Sequence, residues 1–366
     1  MEKTLFIDVN VIQTMPPNCA NRDDTGSPKT CMYGGVRRAR VSSQSWKRAT
    51  REFFHGRVDE SMLSVRTMKI VQMVVDRIKG IDPSIDDADA TKMAIDVLDK
   101  AGVKVKSKSK KKDDGDDGSV PEAQALFFMS NKQALNLAEL AISGDYDKKK
   151  VEEALNKGHG IDIALFGRMV ADNPLLNADA SAQVAHAIST HRVETEYDYY
   201  TAVDEMASED NAGAGMIGTV EFNSSTLYRY ATVAVHDLAR QLEDKDATAM
   251  AVEEFVRAFV LSMPTGKQNT FANRSVPYAV YVALRRDQPV SLAPAFESPV
   301  QPDRSSGGYN SRSVAAMIDC EQQYRRDFIE APIATWQIGS GMDALGPSAS
   351  LQDALEQIKA RIAEEI

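Results

Sequence analysis

Cysteine is scarce in this 366-residue chain: Cys19, Cys31 and Cys320 are the only three, and no two stand in C-x-x-C spacing. That excludes a disulfide framework and a thiolate zinc site, so all three are expected as free thiols. Histidine offers a metal no better pattern. His186 and His191 lie five apart without H-E-x-x-H order, and His55, His159 and His236 are scattered. Residues 1–25 lack the basic-then-apolar order of a secretion signal, and no apolar run is long enough to span a bilayer. The expectation is a cytoplasmic protein with no membrane partner. Its 43% hydrophobic content is enough to bury a full core in two or three structural units.

Positive charge is also in short supply, at a formal net charge of -10, yet it is concentrated in one place. From Lys29 to Arg51 there are seven cations (Lys29, Arg37, Arg38, Arg40, Lys47, Arg48, Arg51) and no Asp or Glu, so the rest of the chain sums to -17. A chain that repels polyanions elsewhere and keeps one basic segment is suited to a locally bound, phosphate-rich partner. Within this segment a helix is predicted to start at Ser42 or Ser43, either of which can cap it. At 100° per residue Trp46, Ala49, Thr50, Phe53 and Phe54 share one side, and Gln44, Lys47, Arg48 and Arg51 share the other. A solvated outer face accounts for charge there but not for its single sign; a track for a phosphate backbone accounts for both.

Before the helix, residues 4–13 alternate as a half-buried strand, and PPNCANRDDTGSPKTCMYGG follows as a long loop. After it, residues 59–101 and 121–158 carry helical patterns such as Met68, Val71, Val75 and Ile78. They are separated by a Lys block followed by an Asp block, expected to be disordered over about 104–119. GIDIALFGRM (160–169) reads as extended and ASAQVAHAIST (180–190) as helical. VETEYDYYTAV (193–203), a glycine-bearing tongue (206–218) and VEFNSSTLYRYATVAV (220–235) read as a protruding hairpin. A helix over 247–263 and a strand over 278–284 close the pattern. With insertions removed, the order strand, helix, strands, helix, strand is that of the ferredoxin-like modules shared by RNA-recognition domains. No aromatic-rich ribonucleoprotein motif lies on a central strand, so base stacking on the sheet is not the expected mode.

NRDD (21–24), GGVRRARVSSQSWKRATR (34–51), GIDIALFGRM (160–169), HAISTHRVETEYDYYTAVDE (186–205) and GKQNTFA (266–272) occur in one order across most of the chain. Together they resemble the CasC family, the repeated backbone subunit of type I-E CRISPR Cascade surveillance complexes. The resemblance implies an α+β protein shaped like a hand: a ferredoxin-like, RRM-like palm (1–58, 181–196 and 222–366), a helical finger insertion (59–180) and a β-hairpin thumb (197–221). It implies partners as well: CRISPR RNA, neighbouring copies stacked head to tail in a filament, other Cascade subunits, and a target DNA strand reached through the guide. Asn21, Arg22, Lys29, Ser42, Gln44, Lys47, Arg48 and Arg51 match the family's RNA-backbone positions, and Arg37, Arg38 and Ser43 from the same basic stretch join the RNA-binding set. Arg168 and Met169 match the wedge beside a displaced base, Tyr200, Thr201 and Ile217 match the thumb, and Lys267, Gln268 and Asn273 add polar contacts. No cofactor or metal is implied.

An enzyme is not expected. Around PTGKQNT (264–270), Leu261 and Gln268 stand where a phosphate loop needs Gly and Ser or Thr. Two alternatives stay open. One is a metal-dependent ribonuclease using Asp23 or Asp24, because related backbone subunits of type III complexes cut RNA with a loop aspartate. The same acids can instead cap a turn or pair with neighbouring arginines. The other is a general single-stranded RNA-binding protein acting alone.

Overall fold

The computed structural model describes residues 4–106, 120–170, 172–203, 214–305 and 307–366. They are mixed α+β and divide into two compact units. One comprises Met1–Phe53, Val184–Val233 and Val252–Glu364; the other comprises Phe54–Gln183, Ala234–Ala251 and Glu365–Ile366. In chain order the strands are β1 (Phe6–Asn18), β2 (Thr30–Tyr33), β3 (Val36–Val41), β4 (Ser64–Thr67), β5 (Phe127–Ser130), β6 (Ala182–Val184), β7 (Ala187–Ser189), β8 (Glu196–Val203), β9 (Ala214–Ala234), β10 (Ala279–Arg285) and β11 (Ala334–Gly339). The α-helices are α1 (Ser43–Phe54), α2 (Ile70–Ile81), α3 (Asp87–Lys100), α4 (Asn131–Ser143), α5 (Lys148–Asn156), α6 (Ile161–Phe166), α7 (Val235–Leu242), α8 (Lys245–Leu261), α9 (Gln268–Phe271), α10 (Asn310–Asp327) and α11 (Leu351–Glu365).

The first unit is built on a sheet of order β11-β10-β1-β9-β7-β3-β2, with β8 paired antiparallel to β9. Its strand β1 was expected to be half-buried, but Ile7–Gln13 is buried on both faces. The polar positions are accommodated by partners inside the sheet: Tyr230 donates to Asp8 at 2.8 Å, Tyr228 donates to Asn10 at 2.7 Å, and Arg229 donates to Gln13. Side chains alternate along β9, and this sorts the helices. Tyr228 and Tyr230 join the apolar cluster containing Val314, Met317 and Ile318 of α10. Between them, Arg229 points the other way, its guanidinium 3.7 Å from the Trp46 ring of α1 and 4.7 Å from Phe259 of α8. The sheet therefore carries α1 and α8 on one face and α10 on the other. The chain beyond residue 285, for which no pattern is predicted, adds α10, β11 and α11.

In the second unit, α2, α3, α4 and α5 enclose an aliphatic core that includes Ile70, Val74, Ile78, Leu98, Leu137, Val151 and Leu155. Local signals set their ends. Ser130 and Gln133 form a reciprocal capping box at the start of α4, and Gly144 closes it in the left-handed conformation at φ 64°. Two short strands, β4 and β5, pair antiparallel alongside, unannounced by the helical pattern. The unit also takes in Ala234–Ala251, which the sequence reading assigned to the remainder of the palm.

Two expected elements exchange identity. Residues 161–166 form α6 instead of an extended segment: the apolar run is too short for its period to decide, and Gly167 at φ 77° ends the turn. Residues 182–189 form β6 and β7 instead of a helix. Alanine favours a helix intrinsically, but the burial of Ala182, Val184, Ala187 and Ser189 follows a two-residue period. Lys104 and Lys106, expected within the disordered loop, are tied into the unit: the Gln124 amide donates to the Lys104 carbonyl and the Lys106 amide to the Glu122 carbonyl. Residues 107–119 of that loop, and 204–213 of the hairpin tongue, lie outside the described residues.

Candidate nucleic-acid interface

The basic stretch is first a hairpin. Gly34 and Gly35, at φ 58° and 75°, make the two-residue turn between β2 and β3, with Tyr33 opposite Val36. A Cβ on Gly34 would lie 1.6 Å from the Glu297 carbonyl oxygen, so glycine is needed there for space as well as for conformation. Arg38 on β3 is fully buried, and its guanidinium donates to the carbonyls of Tyr33, Ser189, Phe296 and Glu297 at 2.8–3.2 Å. This corrects the assignment of Arg38 to RNA: its hydrogen bonds tie the hairpin to the sheet. Arg37, its neighbour on the opposite face, is exposed.

The long loop before the hairpin is ordered by its own polar side chains. Asp23 Oδ1 accepts from the Thr25 hydroxyl at 2.7 Å and from the Thr25 and Ser27 amides at 3.0 Å. These bonds, the Thr25 hydroxyl first, hold the Asp23 carboxyl below the usual range. The Lys29 amide donates to the Asn21 carbonyl at 2.8 Å, closing the loop, and the Asn21 side chain accepts the Ser42 amide at 2.8 Å. Asn21 thus couples the loop to the start of α1. Ser42, largely buried, accepts the Ser45 and Trp46 amides at its carbonyl, so it caps the helix and Ser43 becomes the first helical residue.

On α1 the projection holds at most positions: Trp46, Ala49, Thr50 and Phe54 are buried and Gln44 and Arg48 are exposed, whereas Phe53 on the expected core side and Lys47 and Arg51 on the expected outer side are all half-buried. The face is not purely cationic, because Arg48 pairs with Glu52, one residue beyond the acid-free window, at 2.7 Å. Beneath it, Trp46 rests on the buried Arg229, whose pKa burial pulls down to about 9. No spacing in the sequence pointed to Arg229.

A third segment completes the surface. Gly266 sits so close to the loop that a Cβ would lie 2.3 Å from the Ala20 carbonyl oxygen. It is followed by Lys267 at φ 50° and, after α9, Ala272 at φ 46°. Left-handed non-glycine residues cost about 1–3 kcal/mol each and collect at functional sites. The three segments enclose a polar groove of about 770 Å³ lined by Asn21, Arg22, Arg48 and Lys267 among others. The structure thus brings together four sequence-predicted residues from positions more than 200 apart. Gln268 lies at the start of α9, half-buried, and Asn273 is buried, which corrects its assignment as a polar contact with the RNA. Lys29 and Arg40 flank His186, whose pKa is lowered by burial and then by these two cations.

The remaining candidates lie apart from this groove along the chain. Thr201 and Ile217 face each other across the β8–β9 ribbon, both exposed, and the Tyr200 ring covers Gly218, where a Cβ would meet it at 2.4 Å. In the second unit Arg168 is buried. It donates to the carbonyls of Leu176, Phe128 and Leu155 and lies 5.3 Å from the Phe127 ring; burial lowers its pKa to about 10. This corrects the wedge role for Arg168, which anchors the turn. Its backbone exchanges both hydrogen bonds with Ala178 at 2.9 Å, and the next residue, Met169, is 85% exposed. Among the described residues no group of three or more His, Cys, Asp or Glu is placed to hold a metal ion, all three cysteines are free thiols, and no helix is long and apolar enough to cross a membrane.

No curated protein matches the sequence significantly. A chain of the solved structure "CRISPR RNA-guided surveillance complex, pre-nicking" shares 30% identity, over 99% of this chain and 100% of that one, at a TM-score of 0.81. A chain of another "CRISPR RNA-guided surveillance complex" shares 28% identity over the same proportions, at a TM-score of 0.64. Residues 7–363 match the family described as CT1975-like protein, and with nearly its whole length matched the chain belongs to that family.

Proposed function

We propose that this chain is a CRISPR RNA-binding backbone subunit of a type I-E Cascade complex. In this reading copies stack head to tail along one guide, hold its backbone, and leave guide bases free to pair with a target DNA strand. The observation that carries it is the polar groove beside α1, where Asn21, Arg22, Arg48 and Lys267 converge, with Asp23, Asp24 and Glu52 on the same wall, next to the acid-free stretch from Lys29 to Arg51. The 30% identity over full length to a chain of an RNA-guided surveillance complex supports the same reading. So does the strand order β10-β1-β9-β7 with α1 and α8 on one face, which fits a ferredoxin-like palm; the second unit and the β8–β9 ribbon then serve as finger and thumb. Guide sequence is read by base pairing, and the protein binds backbone and shape.

Sequencing the RNA that copurifies with the assembled complex tests the proposal. One discrete guide species is expected; a heterogeneous mixture overturns it in favour of a general RNA binder. The subunit is proposed to be non-catalytic, since Asp23 is committed to its own turn. Incubation with complementary RNA and Mg²⁺ should leave the strand intact, and regular cuts abolished by Asp23→Ala or Asp24→Ala would establish the ribonuclease instead.

A further inference from the structure

His186 stands outside the groove, exposed, with its Nδ1 3.1 Å from the Arg40 guanidinium. An arginine has only protons to give, so Nδ1 accepts, and the imidazole is neutral with its proton on Nε2. Arg40 in turn adjoins Lys29, whose carbonyl takes the Arg40 amide at 2.9 Å. Among the described residues the charges that bear on His186 are these two cations, from β3 and from the segment before β2. On the other side of β7, β9 brings Tyr228 opposite Ile188 and the Tyr230 carbonyl to the Ala185 amide, and burial keeps both phenols un-ionised. The Cys31 thiol, which also feels Arg40, is kept protonated by burial. Three bases therefore meet without a carboxylate on an acidic protein. Protonating Nδ1 would break the bond from Arg40 and set a third positive charge beside two; burial first, and then the cations, hold the ring below its ordinary range. A phosphate diester reverses that balance. It accepts from Nε2–H, from the released Arg40 N–H and from the Lys29 ammonium, while a proton from water moves onto Nδ1. The cluster is joined to the groove, because the Lys29 amide donates to the carbonyl of Asn21, which lines it.

We propose that Lys29, Arg40 and His186 hold a further phosphate of the RNA strand that occupies the groove, and that binding it draws one proton onto His186; the inference rests on the RNA-binding reading above. RNA binding is then linked to pH through a single side chain. The sign follows from the linkage: affinity rises as pH falls through the bound-state pKa of the ring and levels off below its free-state pKa.

The test uses the full-length chain with oligouridine, because neither uracil nor the phosphodiester titrates between about pH 5.5 and about pH 8, the range in which histidine does. Wild type should bind about three- to tenfold more tightly at the lower pH, the effect of raising one histidine pKa by about half to one unit. His186→Gln keeps an acceptor for Arg40 but cannot take the proton, and should lose that rise. In isotope-edited histidine NMR the His186 ring, identified by its absence from the variant, should titrate at higher pH with oligouridine bound than without. Parallel pH profiles of variant and wild type, or a ring whose titration oligouridine leaves in place, overturn the inference. So does sulfate that moves the ring as far as oligouridine at equal ionic strength, which marks a site for free anions. Absence of salt-dependent oligouridine binding by wild type at every pH overturns the RNA-binding reading itself, and is seen before the variant is compared.

Discussion

Replacing Lys47, Arg48 and Arg51 together by Ala removes the cationic side chains from the outer face of α1 and leaves its core face untouched. Each phosphate contact to a single strand contributes about 0.7 to the slope of log K against log salt, so three full contacts amount to about 2. The geometry lowers that figure. Arg48 already shares its charge with Glu52 at 2.7 Å, and it releases less counterion than a free cation would. The expected drop in slope is therefore about 1.5–2, and at 0.1 M salt the affinity should fall by roughly 30- to 100-fold. Arg48→Ala alone should flatten the slope less than Lys47→Ala. Glu52→Gln should tighten binding, because it frees the arginine and removes an anion from the groove wall. Fluorescence anisotropy of a labelled oligouridine, titrated from about 50 to about 300 mM salt, reads these slopes, and a thermal melt checks the fold. A folded triple variant with the wild-type slope would refute the assignment of this face to a phosphate backbone.

How much of this was legible depended on how local each interaction is. Helix α1 could be read because its burial follows a 3.6-residue period that the sequence displays, and the β8–β9 ribbon because aromatic and β-branched residues alternate on both sides of a glycine-bearing turn. Residues 161–166 and 182–189 could not be read: in short apolar or alanine-rich runs intrinsic preference is weak, and packing decides. The arginines separate most sharply. Arg37 and Arg38 are adjacent and equal in charge, yet one is exposed and the other is buried among carbonyls supplied by Ser189 and Phe296. Nothing within hydrogen-bonding distance of Arg38 in sequence foretells those acceptors, and the same holds for Arg168 with Phe128 and Leu155. The groove itself depends on Gly266 meeting Ala20, a contact that no local pattern encodes.

Other outcomes follow from the same structure. Burial raises the Asp8 carboxyl to about 6, against the 3.8 of an exposed group, so the folded state keeps this proton where the unfolded state releases it. Stability should fall as pH rises from about 4 to about 6, by at most about 3 kcal/mol, and in urea titrations Asp8→Asn should lack that component of the slope; parallel pH profiles would count against it. Gly34→Ala combines a positive φ with a clash against backbone and should cost at least about 2 kcal/mol by denaturant melts, whereas Gly35→Ala, with open space around it, should cost less. The last concerns Met169 and Ile217, 85% and 62% exposed. Truncating core Met or Ile costs about 2–5 kcal/mol, but side chains this exposed have little packing to lose, so the double variant Met169→Ala, Ile217→Ala should melt within about 1 kcal/mol of wild type. If Met169 and Ile217 wedge guide bases apart between neighbouring copies, chemical probing of the assembled complex should show a periodic reactivity along the guide that weakens in the double variant while assembly persists. An identical pattern in both proteins would remove the wedge role, and a marked loss of monomer stability would show that these two side chains act in packing instead.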